Sequence, residues 1–293
     1  MARRARYNTG GKWFKGSTHT HTVRSDGGLT YRQMMSLYAR AGFDFLFITD
    51  HNFTADIERE PNPPLLALNG VEVDGNYDGA NYHVLGLGVS KPVDPAWSIE
   101  KKLRFLKREG AIRVLAHPAW SGVKVPGALK WNFDGVEAFN AVCHWLNGKS
   151  LGLYHWDCML EKNPNTLGFC GDDAHHLRGQ TGRWNIGWVM VNAPELTKRN
   201  VLGAIRRGNF YCTQGPAFRR IETTCTRVRV KTSGVKEIRL VGPKHIGDRV
   251  SAPGRGRPLT EAAFDISGKH CYLRMDIEDF HGRRAWSNTL FVE

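Results

Sequence analysis

The chain has 293 residues, of which 41% are hydrophobic and 11% aromatic, enough for one large domain with an appendage and too apolar for a disordered protein. No apolar run approaches the roughly 20 residues needed to span a bilayer. The basic start Met1-Ala2-Arg3-Arg4-Ala5-Arg6 has no apolar segment behind it, so a soluble, non-secreted, cytoplasmic protein without a membrane partner is expected. The net charge of +13 favours an anionic partner, either a phosphate-bearing small molecule or nucleic acid, although much of such an excess can be solvated surface.

Residues 1–14 read as a basic, mobile arm, with the first strand beginning near Trp13. The stretch Ser17-Thr-His-Thr-His-Thr-Val-Arg-Ser-Asp-Gly27 then sets His19 and His21 at alternate positions, with Asp26 shortly after. On a strand, residues two apart share a face, so the two histidines can converge on one metal ion while the threonines face away. A lone His-x-His pair is as readily two polar residues on a half-buried strand; the rest of the pattern decides. Tyr31–Arg40 carries Met34, Met35, Leu37 and Tyr38 at helical spacing, and Gly42 is a natural C-terminal stop. Phe43–Thr49 is an almost continuous apolar run, as a strand buried on both faces requires, and it ends in Asp50-His51.

The same arrangement recurs. Leu65–Val71 ends in Glu72, Tyr82–Gly88 carries His83, Ala111–Ala116 ends in His117-Pro118, Phe133–Phe139 ends in Asn140, and Leu167–Gly171 ends in Asp172-Asp-Ala-His-His176. Helical patterns at Ser98–Glu109 and Lys198–Arg207 lie between or after these runs. Strands alternating with helices predict a parallel sheet, and polar ligand types gathered at the strand ends are what a (β/α) barrel uses for its active face. An open doubly wound sheet would gather its ligands at one crevice instead. Beyond Pro216 the pattern changes to short alternating runs between Gly, Pro and Asp clusters, which predicts a small antiparallel β domain over residues 216–293 with a mobile loop from Gly247 to Pro258. The six cysteines form no Cys-x-x-Cys pair and read as free, mostly buried thiols of a reducing compartment.

With His19-Thr-His21, Asp26, Asp50-His51, Glu72, His83, His117-Pro118 and Asp173-Ala-His175 in order, residues 15–215 resemble the polymerase and histidinol phosphatase (PHP) superfamily of metal-dependent hydrolases. Val136–Asn140, Trp156-Asp157, Gly208–Pro216 and Arg284–Asn288 further resemble stand-alone members related to the carbaryl-hydrolase group. The resemblance implies a distorted (β/α)7 barrel of PHP type followed by the small antiparallel β domain, and two to three divalent metal ions. The first ion would take His19, His21, Glu72 and Asp173, the second Glu72 as a bridge with His83 and His117, and the third Asp26, His51 and His175. Mixed imidazole and carboxylate ligands suit zinc, manganese or iron rather than calcium.

The activity so implied is a phosphoesterase acting on a small phosphate ester or nucleotide, with a metal-bridging hydroxide as nucleophile. A carbamate, amide or carboxylic ester hydrolase would use the same site. A nucleic-acid-binding module with a structural metal site is the alternative of another class, and nucleic acid stays possible as a substrate; the oligomeric state is unknown. His176 and Arg183 are candidate catalytic residues, as a general acid or substrate contact and as a phosphate anchor, and Arg24, Lys124 and Arg178 are further candidate anchors. Asp50 is expected to orient a histidine, and His144 and His155 to serve packing or surface.

Overall fold

Phe45–Ile48, Leu66–Asn69, Ile112–Leu115, Gly135–Asn140 and Leu167–Gly171 are short strands with almost no exposed residue, which is why they read as unbroken apolar runs rather than as alternation. The helices between them start where the sequence supplies a cap. Thr30 accepts the Gln33 N–H in a reciprocal capping box for Tyr31–Arg40, Ser98 accepts from Lys101 for Ile99–Arg108, and Thr197 accepts from Asn200 for Lys198–Arg206. Each helix buries one apolar stripe, for example Leu103 and Leu106 of Ile99–Arg108. The computed structural model describes the whole chain except residues 1–3, 6, 8, 9, 56, 58–63, 178, 180–182, 267, 269 and 293.

The sheet is not uniformly parallel. Lys12–Ser17, Phe45–Ile48 and Leu66–Asn69 pair in parallel, as do Ile112–Leu115, Gly135–Asn140 and Leu167–Gly171. Between these two sets, Glu72–Tyr77 and Ala80–Leu87 form an antiparallel hairpin. Its turn, Asp78-Gly79, has φ of +50° and +73°, the left-handed pair that a two-residue hairpin turn demands and that Asp-Gly supplies. So short a connection can only reverse the chain, whereas parallel strands need a long crossover.

The strands accordingly lie in a nine-stranded and a five-stranded sheet, and among the described residues no continuous ladder closes them into a ring. The fold is mixed α/β. Isolated parallel bridges, Thr20 to Ala174 and His51 to Glu72, join the two sheets just past the strand ends. All four bridge residues adjoin or belong to the ligand set, so the sheets meet where the candidate ligands are.

Residues 216–293 form the expected antiparallel β region. Phe218–Thr223, Arg227–Val235 and Leu259–Asp265 make a three-stranded sheet. Glu237–Val241, Arg274–Glu278 and Arg284–Ser287 extend the nine-stranded sheet outward through Phe210–Thr213 and Trp188–Ala193. Gly247–Ser251, inside the stretch read as a mobile loop, is an edge strand on Glu237–Val241. The opening segment is tied into this region: Arg4–Ala5 pairs with Phe291–Val292, and the Tyr7 hydroxyl donates to Phe210 O at 2.9 Å while accepting the Asn288 N–H at 2.6 Å. All six cysteines are free, three of them buried and two exposed. Among the described residues no helix is long and apolar enough to cross a membrane.

Asn288 joins the β region to the parallel strands. Its buried side chain accepts the Gly168 N–H at 2.8 Å and donates to Phe210 O at 2.9 Å. Removing it strands the Gly168 donor, whereas Phe210 O keeps Tyr7. Asn288→Ala is therefore expected to lower stability by about 1–3 kcal/mol in chemical denaturation.

Candidate metal centre

His19 and His21 lie just past the end of Lys12–Ser17, on an extended continuation rather than within the strand itself. The alternation survives because the intervening threonines are held elsewhere. Thr20 Oγ1 donates to Phe47 O at 2.6 Å and Thr18 Oγ1 to Cys170 O at 3.4 Å, which leaves both imidazoles on the opposite face with ring centroids 5.1 Å apart.

Glu72 is the centre of the constellation. One of its oxygens, Oε2, lies 3.0 Å from His19 Nε2 and 3.1 Å from His21 Nε2. The other, Oε1, lies 2.9 Å from His83 Nδ1 and 3.3 Å from His117 Nε2. Asp173 Oδ1 faces the first pair at 3.2 and 3.1 Å. Asp26 faces a further set, with Oδ2 3.2 Å from His175 Nε2 and 3.7 Å from His51 Nε2, and Oδ1 3.4 Å from His21 Nδ1. All nine residues expected as ligands are thus brought together.

Their grouping is more interlinked than the expected sets of four, three and three residues. Ligand atoms within 4.8 Å of one another define His19-His21-Glu72-Asp173, His21-Asp26-His51-His175, His51-Glu72-His83 and His19-His117-Glu137. His21, through its two nitrogens, faces both of the first two groups.

The donor chemistry fits divalent transition metals. Imidazole nitrogens and carboxylate oxygens from separate strands converge, and His21 Nε2 is buried without a hydrogen-bond partner although it lies 3.1 Å from two carboxylate oxygens. Buried charge of this kind requires compensation. Burial pushes the Glu72 carboxyl up, but His19 and His83 outweigh it and hold the group well below its usual range; Asp173 is likewise held down by His19 and His21. Conversely, burial draws His21 down, yet the negative charges of Asp173 and Glu72 facing its Nε2 push it up to about 9.

Supporting residues fix the ligands. Glu137, fully buried, accepts from His19 Nδ1 at 2.8 Å, from the His117 backbone N–H at 2.9 Å and from Asn140 Nδ2 at 2.8 Å. Gly171 is required beside it, because a Cβ there would stand 2.2 Å from Glu137 Oε1 and 2.9 Å from His19 Cβ. Ser121 Oγ meets His117 Nδ1 at 3.0 Å, and Asp74 Oδ1 lies 3.6 Å from His51 Nδ1. His117 and Asp173 adopt φ of +26° and +55°, conformations that non-glycine residues adopt at a cost and that recur at functional sites.

Glu137, Asn140, Ser121 and Asp74 are absent from the sequence reading as site residues. The signal for Glu137 and Asn140 was present in Val136–Asn140, which ends a buried strand as the ligand-bearing segments do, but nothing in the spacing tells a supporting carboxylate from a core one.

Other expected residues take different places. Asp50 accepts from the Thr22 backbone and hydroxyl at 2.7 and 2.8 Å and from Ser25 Oγ at 2.7 Å, so it fastens the loop that carries Asp26 rather than orienting His51. His176 packs its ring on Trp184, with centroids 5.5 Å apart, and burial together with neighbouring His175 draws its pKa down. Arg183 is exposed with its guanidinium 5.1 Å from the centre of the Trp145 ring, Arg24 rests on Phe53, and Lys124 stands at the start of the helix Val125–Lys130. Arg178 lies outside the described residues. His144 contacts Ser150, and His155 Nε2 meets Val123 O at 2.7 Å.

The ligands open into a cavity of about 370 Å³ lined by Asp26, His51, Glu72, His83, His117, Asp173 and His175 together with Asn81, Trp120, Val142, Cys143, Leu146 and Leu177. No lysine or arginine among the described residues lines it.

No family model matches the sequence. The chain is similar, at 29% identity over 120 residues, to a 3',5'-nucleoside bisphosphate phosphatase of Chromobacterium violaceum, a match that covers 39% of this chain and 42% of that protein. The chain thus spans less than half the length of this curated relative. In structure it resembles a two-domain protein of Bacteroides vulgatus containing a predicted PHP-like metal-dependent phosphoesterase, with a TM-score of 0.52, 14% identity and coverage of 100% of this chain and 98% of the other. The chain shares its fold with that structure, and the resemblance to the PHP superfamily read from the motifs is supported by both likenesses.

Two outcomes follow from this geometry. Glu137→Gln is expected to weaken binding of zinc or manganese by about 10–100-fold in a calorimetric titration while leaving the fold intact, since the amide fills the same space but no longer accepts from both His19 and the His117 N–H with charge. Protons compete with metal for His21, which is protonated at neutral pH in the metal-free chain and ionises near 9. Metal affinity should therefore rise as pH climbs from about 6.5 to about 9, with protons released on binding. The metal-free chain should lose thermal stability across the same window, because a histidine pKa raised on folding stabilises below the unfolded value and ceases to do so as pH passes the folded one.

Proposed function

We propose that the chain is a metal-dependent phosphoesterase that hydrolyses a small phosphate ester or nucleotide. The observation that carries this reading is Glu72, whose two oxygens face two separate histidine pairs at 2.9–3.3 Å at the edge of a small-molecule-sized cavity. In this reading His19, His21, Glu72 and Asp173 hold one ion, Glu72, His83 and His117 a second, and Asp26, His51 and His175 a third, with zinc, manganese or iron as occupants. The isolated bridges at Thr20 and His51 support the seven-stranded barrel of PHP type as the framework around them.

Bound divalent ions supply a water of lowered pKa and a positive field for phosphoryl oxygens. The chain's own groups prepare the rest. Glu137 holds His19 through Nδ1, so that Nε2 is presented toward Glu72 and Asp173. Asp50 and Ser25 hold the loop that brings Asp26 to His175. The three ligand carboxylates cancel only half the charge of three divalent ions, and a dianionic phosphate ester balances the remainder better than a neutral carbamate.

Since no lysine or arginine among the described residues lines the cavity, the phosphoryl group is met by the ligand cluster itself. The named activity of the C. violaceum relative, a nucleoside bisphosphate phosphatase, supports phosphoester chemistry.

Steady-state kinetics with a phosphate monoester and the matching carbamate, at equal pH and metal, tests the reading. The monoester is expected to show the higher kcat/KM, with inorganic phosphate a competitive inhibitor. A higher kcat/KM for the carbamate without phosphate inhibition would make the chain a carbamate, amide or ester hydrolase instead.

A further inference from the structure

Large apolar side chains that stand in solvent are not scattered over this molecule. Seven are exposed among the described residues, and Trp120, Trp145, Leu146 and Leu177, at 37–48% exposure, follow three strands that are neighbours in one sheet: Ile112–Leu115, Gly135–Asn140 and Leu167–Gly171. Strand order alone sets them side by side on the ligand-bearing face. Trp120, Leu146 and Leu177 line the same cavity as the metal ligands, joined by Val142 and Cys143 of the helix Ala141–Asn147. Trp120 is in direct contact with the centre, its ring edge-on to His83 and His117 with centroids 5.8 and 5.2 Å away.

An exposed apolar cluster on a strongly basic chain marks a binding surface. Its continuity with the ligand cluster means that one molecule touches both, and a cavity of about 370 Å³ admits a molecule of one or two rings rather than a protein segment.

Resting on the phosphoesterase reading, we infer that the group esterified to phosphate is an apolar aryl ring, seated against Trp120, Leu146 and Leu177 while the phosphoryl group lies at the ligand cluster. The composition of the arc selects against a nucleobase. Val142, Leu146 and Leu177 offer no hydrogen bond, and the Cys143 thiol, its ionisation suppressed by burial, is a weak donor. Asn81, also in the lining, has its Nδ2 against His83 Nε2 at 3.1 Å and adds only its amide oxygen as an acceptor. Trp120 offers a base its indole N–H and a ring face, but the aliphatic arc gives it no further partner for the water it would lose, whereas a hydrocarbon ring gives up no hydrogen bond there.

The test is binding of phosphonates, which cannot be hydrolysed at phosphorus, to the metal-loaded protein by calorimetry. Phenylphosphonate is expected to bind about tenfold more tightly than methylphosphonate, the factor that roughly 1.4 kcal/mol of apolar burial gives. Leu146→Ser combined with Leu177→Ser should abolish the difference while leaving affinity for inorganic phosphate unchanged. Trp120→Leu, which keeps an apolar side chain, should retain most of it.

Equal binding of phenyl- and methylphosphonate, or adenosine 5'-monophosphate outcompeting phenyl phosphate as substrate, would overturn the aryl assignment and leave the phosphoesterase reading standing. No binding of inorganic phosphate or of either phosphonate would overturn both.

Discussion

Everything in this molecule's functional half leans on one buried carboxylate. Glu72 is almost fully buried, and an isolated carboxylate there would be protonated or would destabilise the fold by several kcal/mol. It stays ionised because histidines from three different chain segments face its two oxygens. The geometry that makes this possible is a hairpin. Glu72 begins the strand whose antiparallel partner carries His83, and the bridge from Glu72 to His51 joins it to the other sheet. The antiparallel pair that breaks the parallel pattern is therefore also what brings a carboxylate between two sets of imidazoles.

The constraint propagates outward through supporting groups. Glu137 fixes the side chain of His19 and the backbone of His117, which belong to opposite sides of Glu72, so one carboxylate sets the spacing of both ligand pairs. Asp172, next to a candidate ligand, accepts the backbone N–H groups of Asn185, Ile186 and Gly187 at 2.8–3.0 Å and the Tyr38 hydroxyl at 2.9 Å, and thereby anchors residues 185–187 beside it. Left-handed backbone at His117 and Asp173 is tolerated because these bonds over-determine the surrounding chain. Beside these bonded groups the apolar arc of Trp120, Leu146 and Leu177 stands 37–48% exposed at the cavity wall.

The clustering of the candidate ligands was legible in the sequence because chemistry restricts residue type more than it restricts position. Each of His51, Glu72, His117 and Asp173 ends an apolar run, and a strand end is where a buried segment can present a polar side chain. His19-x-His21 was legible through period-two alternation, although the strand itself stops at Ser17. What did not show was how strands pair. Asp78-Gly79 is a strong hairpin signal, yet the alternation of the flanking segments with helices points to parallel strands throughout, and the local turn decided the outcome. The supporting carboxylates were hidden for a different reason: Glu137 lies inside a fully buried strand, where sequence alone does not separate a charge that serves three backbone and side-chain donors from one that would be excluded. Gly247–Ser251 became a strand because its partner Glu237–Val241 needed an edge, a pairing that Gly and Pro content conceals.

The central claim is that strands of two sheets deliver one cluster of imidazole and carboxylate ligands that works only with divalent ions. Elemental analysis of the purified chain, followed by phosphate ester hydrolysis before and after chelation, measures this most directly. The account predicts two to three transition-metal ions per chain, loss of hydrolysis when they are removed, and its return when zinc, manganese or iron is restored. Full hydrolytic activity in metal-free protein would contradict it.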